Sequence, residues 1–166
     1  ANIYTMNNRA EAFWMKKGIL GDTVPLELNA KELLHRNNKN SELTVYGYTP
    51  MMVSVQCVQK TMDHCNHACV QYVLKDRYQK EFRGVCSCEF CYNTIYNALP
   101  TSLLKEKEKA EKLGVKAYRL SFTTETQQET EKIVRAFVDV YLRGQKPDGQ
   151  MQTEETTKGH FQRGVE

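Results

Sequence analysis

Residues 43–48 read LTVYGY, and after Pro50 the chain continues as MMVSV through residue 55. LTVYGY is rich in β-branched and aromatic residues and predicts a strand. Pro50 breaks that strand, and MMVSV reads as further extended chain. Upstream, AKELLHR (30–36) predicts a helix with Asn29 as its cap. TVPLE (23–27) reads as a strand made short or irregular by Pro25. NRAEAFWMKKG (8–18) places Ala10, Phe13, Trp14 and Lys17 on one helical face, with Asn8 as cap and Gly18 as stop. NIYTM (2–6) is a short strand candidate.

Downstream, QYVLKDRYQKEFRGVCS (71–87) predicts a hairpin whose arms flank residues 77–80. Helix resumes at SLLKEKEKAEKL (102–113) and stops at Gly114; its alternating lysines and glutamates read as a solvated face. AYRLSFT (117–123) is a strand. Residues 126–143 form the longest predicted helix, with Ile133, Val134, Phe137, Val138 and Tyr141 as its apolar face and Gly144 as its cap.

Strands alternating with single helices predict an α/β fold with a parallel sheet. Four such units make either a small open sheet or half of a (β/α)8 TIM-like barrel, since a full barrel takes about 250 residues. The expectation is half a barrel over residues 1–144, with a cysteine-rich hairpin insert at 57–91 and an irregular tail at 145–166.

The 166 residues are 40% apolar and 26% charged, which fits one globular domain or a large piece of one and excludes collagen, coiled coil and wholesale disorder. No apolar run approaches the roughly 20 residues of a membrane helix. The first residues lack a basic-then-apolar signal pattern, so a cytoplasmic location is expected. A net charge of +3 is too small to argue for nucleic acid without clustering.

All six cysteines fall between Cys57 and Cys91. Clustering without a secretory signal points to metal ligation rather than disulfides. Cys88-Glu89-Phe90-Cys91 is a Cys-x-x-Cys pair, and Cys57 with Cys65 would complete four soft ligands for Zn or a [4Fe–4S] cluster. Cys69 and Cys86 are then spare. Buried reduced thiols, or a Cys88–Cys91 redox pair, are the alternatives. His64 and His67 flank Cys65 as further ligands or as plain loop histidines. His160 and Arg163, in GHFQRG, could address an anionic substrate or belong to a flexible tail. Lys75, Asp76 and Arg77 read as a hairpin tip. Asn93, Tyr96 and Asn97 could bond a ligand or tie their loop to its neighbours. No HExxH, GxSxG or glycine-rich phosphate loop occurs.

Four stretches, VYGYTPMMVSVQC (45–57), KDRYQKEF (75–82), CEFCYNTIYNALP (88–100) and GHFQRGVE (159–166), resemble the U-thirty-two family of collagenase-like peptidases, in its branch with extra domains. The resemblance runs over nearly the whole chain. It implies the second half of a barrel, partnered by a missing N-terminal half-barrel; the open edge left by only four units predicts self-association. It implies a hydrolase acting in proteolysis. The alternatives are cluster-dependent hydroxylation of RNA or a small aromatic substrate, and a structural, metal-stapled domain. It matches Cys57, Cys65, Cys88 and Cys91 to an iron–sulfur ligand set, with Zn or no metal as the other occupancies. Where relatives carry His-Gly and then Cys, this chain has Tyr46-Gly47 and then Pro50-Met51-Met52. His160 and Arg163 are the expected catalytic residues at the mouth, where barrel enzymes place their chemistry. The fragment alone is expected to be inactive.

Overall fold

The computed structural model describes residues 5–63, 65–147 and 155–163. Its first sheet is built on β2 (Ser41–Gly47). β1 (Asp22–Thr23) runs parallel to the start of β2, with Asp22 opposite Ser41. β8 (Ala117–Ser121) runs parallel to β2 from Glu42 to Gly47. β7 (Thr101–Ser102) pairs antiparallel with Tyr46 and Gly47. A strand has two edges, so β8 fills one while β1 and β7 share the other.

The second sheet is antiparallel throughout, in the order β3-β6-β5-β4. Its strands are β3 (Pro50–Ser54), β4 (Gln71–Lys75), β5 (Glu81–Ser87) and β6 (Tyr92–Tyr96). Asp76 closes the β4–β5 turn by accepting the backbone N–H groups of Tyr78 (2.7 Å) and Lys80 (2.9 Å) through Oδ1.

Helices cover the first sheet. α1 (Asn8–Lys16) is capped by Asn7 rather than Asn8, the Asn7 carboxamide oxygen accepting from the N–H groups of Arg9 and Ala10. α2 (Ala30–Leu34) and α5 (Gln127–Phe137) open with reciprocal capping boxes, Asn29 with Glu32 and Thr126 with Glu129. α4 (Lys107–Lys112) is short, and so is α3 (Val58–Thr61), which lies against the second sheet rather than the first. α5 continues as a π-helical turn, Val138–Leu142, that buries Val140. Leu33, Leu43, Val45, Leu103, Leu104, Phe137 and Val140 share one core. The Tyr141 hydroxyl donates to the Leu103 carbonyl at 2.9 Å and binds α5's extension to the loop after β7.

The half-barrel expectation is corrected: both sheets are open, and neither has TIM-barrel topology. Only β1, β2 and β8 are parallel, β7 runs against them, and four strands belong to a separate antiparallel sheet. The physical reason lies at residues 47–50. Gly47 ends β2, and residues 50–54 start the second sheet by pairing with residues 93–96 instead of prolonging the first. The presumed insert is therefore the body of a sheet. β1 is only two residues long because Pro25 lacks the N–H a ladder needs. Residues 2–4 of NIYTM lie outside the described residues, and Thr5 and Met6 are not strand. The predicted helix 102–113 begins instead as β7 and a 3-10 turn, Leu104–Glu106. The tail bridges Thr157 to Thr101, forms a 3-10 turn at Gly159–Phe161 and seats Phe161, 7% exposed, in the main core. Among the described residues no helix is long and apolar enough to cross a membrane.

One polar cluster fixes the start of the parallel sheet. Arg36 is buried and ion-paired with Asp22. Its remaining donors reach the Thr5 carbonyl (2.8 Å), Asn38 Oδ1 (2.9 Å), Ser41 Oγ (3.0 Å) and Thr5 Oγ1 (3.0 Å). Asp22 also accepts from the Thr5 and Ser41 hydroxyls. Removing one partner of a buried pair leaves the other charge uncompensated, at about 3–5 kcal/mol. Asp22→Ala should therefore cost that much in urea denaturation, and the double replacement Asp22→Leu with Arg36→Met should cost less. Equal losses would show that the charge pairing is not what matters.

Candidate functional site

A cleft of about 330 Å³ opens beside the loop that joins the two sheets. Thr49, Pro50 and Met51 form one wall, Asn97 and Thr101 the next, and Gly159, His160 and Phe161 close it from the tail. The Asn97 N–H donates to the Thr49 carbonyl at 2.9 Å, and the Thr49 and Thr101 hydroxyls lie 3.4 Å apart. Gly159 sits at φ +54°, and a Cβ there would meet the Thr101 hydroxyl at 3.3 Å, so glycine lets the tail lie against β7. Lys158 is ion-paired with Glu106, which also receives Lys109 at 2.6 Å. Burial pushes the Glu106 carboxyl up, but the hydrogen bonds from the two lysines outweigh it and hold the group below the usual carboxylate range. The cleft thus pairs apolar walls with hydroxyl, carboxamide and imidazole groups.

Of the two residues expected at the mouth, His160 lines this cleft, while Arg163 is exposed outside the lining. Sequence reasoning passed over Thr49, Thr101 and Lys158. The glycine before His160 was the available signal, since a positive φ marks a tight approach. Lys75 forms an exposed ion pair with Glu81 at 2.9 Å, and the Arg77 guanidinium lies 4.8 Å from the Tyr78 ring centroid, so the hairpin tip is satisfied by its own residues.

A larger cleft, about 480 Å³, opens at the starting ends of β1, β2 and β8. Its charged lining includes Asp22, held by Arg36, and Glu42, which pairs with Arg119 at 2.5 Å. These carboxylates are committed to holding strands together.

The cysteines divide by depth. Cys57, Cys86 and Cys88 are buried; Cys65, Cys69 and Cys91 are exposed. Cys57 Sγ lies 3.6 Å from Cys86 Sγ, which lies 3.8 Å from Cys88 Sγ. The backbone N–H of Lys60, at the first turn of α3, lowers the Cys57 thiol. Burial, reinforced by hydrogen bonds with Cys57 and Cys88, pushes Cys86 up to about 12. Burial also raises Cys88.

The iron–sulfur and Zn expectations are corrected. Among the described residues no group of three or more His, Cys, Asp or Glu side chains is disposed to hold a metal ion. The four expected ligands split, with Cys57 and Cys88 inside and Cys65 and Cys91 at the surface. The cause is the turn between β5 and β6. It places Cys91 at φ +52°, outside, with its thiol directed at the Cys88 carbonyl (3.7 Å). Cys86, set aside by the spacing argument, stands between Cys57 and Cys88 instead. His67 is exposed, and His64 lies outside the described residues.

Iodoacetamide on the native protein should label Cys65, Cys69 and Cys91 and spare the other three until unfolding, as read by peptide mass spectrometry. The raised Cys86 thiol also carries a pH dependence. Its neutral form contributes stability that is complete below its ordinary value of 9.0 and lost as pH rises toward about 12. Stability from about pH 8 to about pH 11 should therefore fall less steeply in Cys86→Ala, and identical slopes would refute the assignment. No family model matches this chain, and neither a curated protein nor a solved structure matches it.

Proposed function

We propose that this chain provides the peptide-holding wall of a collagenase-like peptidase, with the His160 cleft as the place where substrate sits. One observation carries this reading. Three of the stretches that resemble the family are far apart in sequence, yet Thr49–Met51, Asn97 and Gly159–Phe161 line the same cleft. Residues from distant motifs that meet in one concavity favour a shared ligand over three separate packing roles.

The peptide class is supported by the neighbouring strand. β3 is the edge of its sheet and leads directly out of the cleft. Met51 and Val53 are 62% and 63% exposed on it. An extended peptide can add to such an edge through main-chain hydrogen bonds, with alternate side chains meeting the exposed apolar residues. His160 is then the group placed to orient or deprotonate at the cleft, and Arg163 a flanking fork for a carboxylate. In the absence of peptide, the same edge would serve self-association. A cytoplasmic site of action belongs to the same proposal. The cluster-dependent alternatives lose the ligand set on which they stood.

The test is fluorescence anisotropy with labelled, unfolded collagen-type peptides. Binding should be saturable, and His160→Ala and Met51→Asp should each weaken it about three- to tenfold, the worth of one hydrogen bond or a small apolar contact. Melting temperature should hold, because both side chains are exposed. Peptide binding that neither change affects would remove the cleft from the account.

A further inference from the structure

β3 is an outer strand of the antiparallel sheet and, among the described residues, pairs with β6 alone. Natural sheets guard such edges with charge, and the opposite edge does so: β4 ends in Lys75, which is ion-paired with Glu81. Residues 50–56, PMMVSVQ, carry no charged side chain. An edge of open backbone groups without charged guards accepts an extended chain.

A concavity of about 240 Å³ lies against that edge. Met52, Ile95, Gly84 and Tyr72 are in register across the four strands, and Ser54 and Asn93 belong to the next row. Period-two alternation puts both rows on one face and Val53 on the other. α3 and its C-cap bring Val58 and Met62 to the same pocket. Its walls are open to an incoming group: Met52 is 53% and Met62 62% exposed, and Val58, Tyr72 and Ile95 are half-buried. Among the described residues no charged side chain lines it. Pockets that enclose a whole drug-sized ligand run to about 300–1,000 Å³, so this one suits a single side chain. Unbranched, polarisable methionines adapt to side chains of different shape.

We propose that this pocket is a specificity subsite that takes a large apolar side chain, of the leucine, methionine or phenylalanine class, from a peptide added to the β3 edge. The proposal rests on the peptide reading of the His160 cleft and deepens it. Met51 lines that cleft and Ser54 lines this pocket, so the two lie about 10 Å apart along one strand. A peptide paired with β3 sends alternate side chains to the α3 face, and the one beside Met52 and Ser54 enters over the short serine side chain. The intervening side chains turn to the Val53 face. A carboxylate or ammonium in the pocket would give up water with no partner charge in return. The cleft thus holds the chain, and the pocket chooses among sequences.

The experiment is fluorescence anisotropy with labelled, capped octapeptides of serine and threonine that differ at one central position: leucine, phenylalanine, serine, glutamate or lysine. Leucine and phenylalanine should bind about five- to twentyfold more tightly than serine, the worth of burying part of an apolar side chain. Glutamate and lysine should gain nothing over serine. Two variants locate the gain. Met62→Asp puts a charge on the pocket wall at an exposed position, and Ser54→Phe fills the pocket from β3. In each, the ratio of leucine to serine affinity should fall to near one. His160→Ala should weaken the leucine and serine peptides by the same factor. A flat series among peptides that still respond to His160→Ala would overturn the subsite and leave the peptide reading standing. Peptides that fail to bind, or that bind without regard to His160→Ala, would overturn both. A leucine preference that survives Met62→Asp and Ser54→Phe would lie elsewhere and overturn the proposal.

Discussion

Gly47 is the point on which both sheets depend. Its φ is +153°, and a Cβ there would stand 2.6 Å from the Ser121 carbonyl oxygen. β2 and β8 stay paired up to this residue, Gly47 opposite Ser121, and the chain then turns away to begin β3. A side chain at 47 would force the strands apart where the chain must leave the first sheet. The junction is held from the other side by Arg83 of β5. Its guanidinium lies 4.7 Å from the Tyr48 ring centroid and bonds Thr124 Oγ1 at 3.3 Å. The cleft at Thr49–Met51 exists because this crossing separates the end of β2 from the start of β3.

Local chemistry was well written in the sequence. The apolar face of residues 126–143 became α5 and its π-helical extension, with Phe137 and Val140 in the core. LTVYGY and AYRLSFT became the paired strands β2 and β8. Pro50 did mark a boundary, but a proline shows only that a strand ends, not which sheet the next strand joins. The pairing of β3 with β6 joins residues about 40 apart, as in Ser54 with Asn93. Without that pairing visible, residues 57–91 read as an insert between parallel units rather than as part of a second sheet.

The cysteines failed to follow their spacing for a related reason. Cys-x-x-Cys brings two thiols to one side only when the intervening backbone curls around a common centre. Here residues 88–91 form the turn from β5 to β6, so Cys88 faces the core and Cys91 faces solvent. Cys86 is two residues before Cys88, at the end of β5, and is fully buried. The three inner thiols form a short hydrogen-bonded chain. Its deep centre, Cys86, keeps its proton, while Cys57 at one end is drawn toward the thiolate by the Lys60 N–H.

Asn93 fills one of the two roles that its place in the sequence left open. The sequence left open whether it ties its loop or bonds a ligand. Its Nδ2 does the first, anchoring the Gln56 carbonyl just ahead of Cys57. That anchoring is what strands Oδ1, because a carboxamide fixed through its nitrogen cannot rotate to satisfy its oxygen elsewhere. Gly84 acts on Tyr72 in the same way, admitting the ring across β5 and thereby removing its hydroxyl from water. Each unsatisfied atom is a consequence of a contact that stabilises the sheet. The fold keeps both because the sheet needs the contacts that bury them.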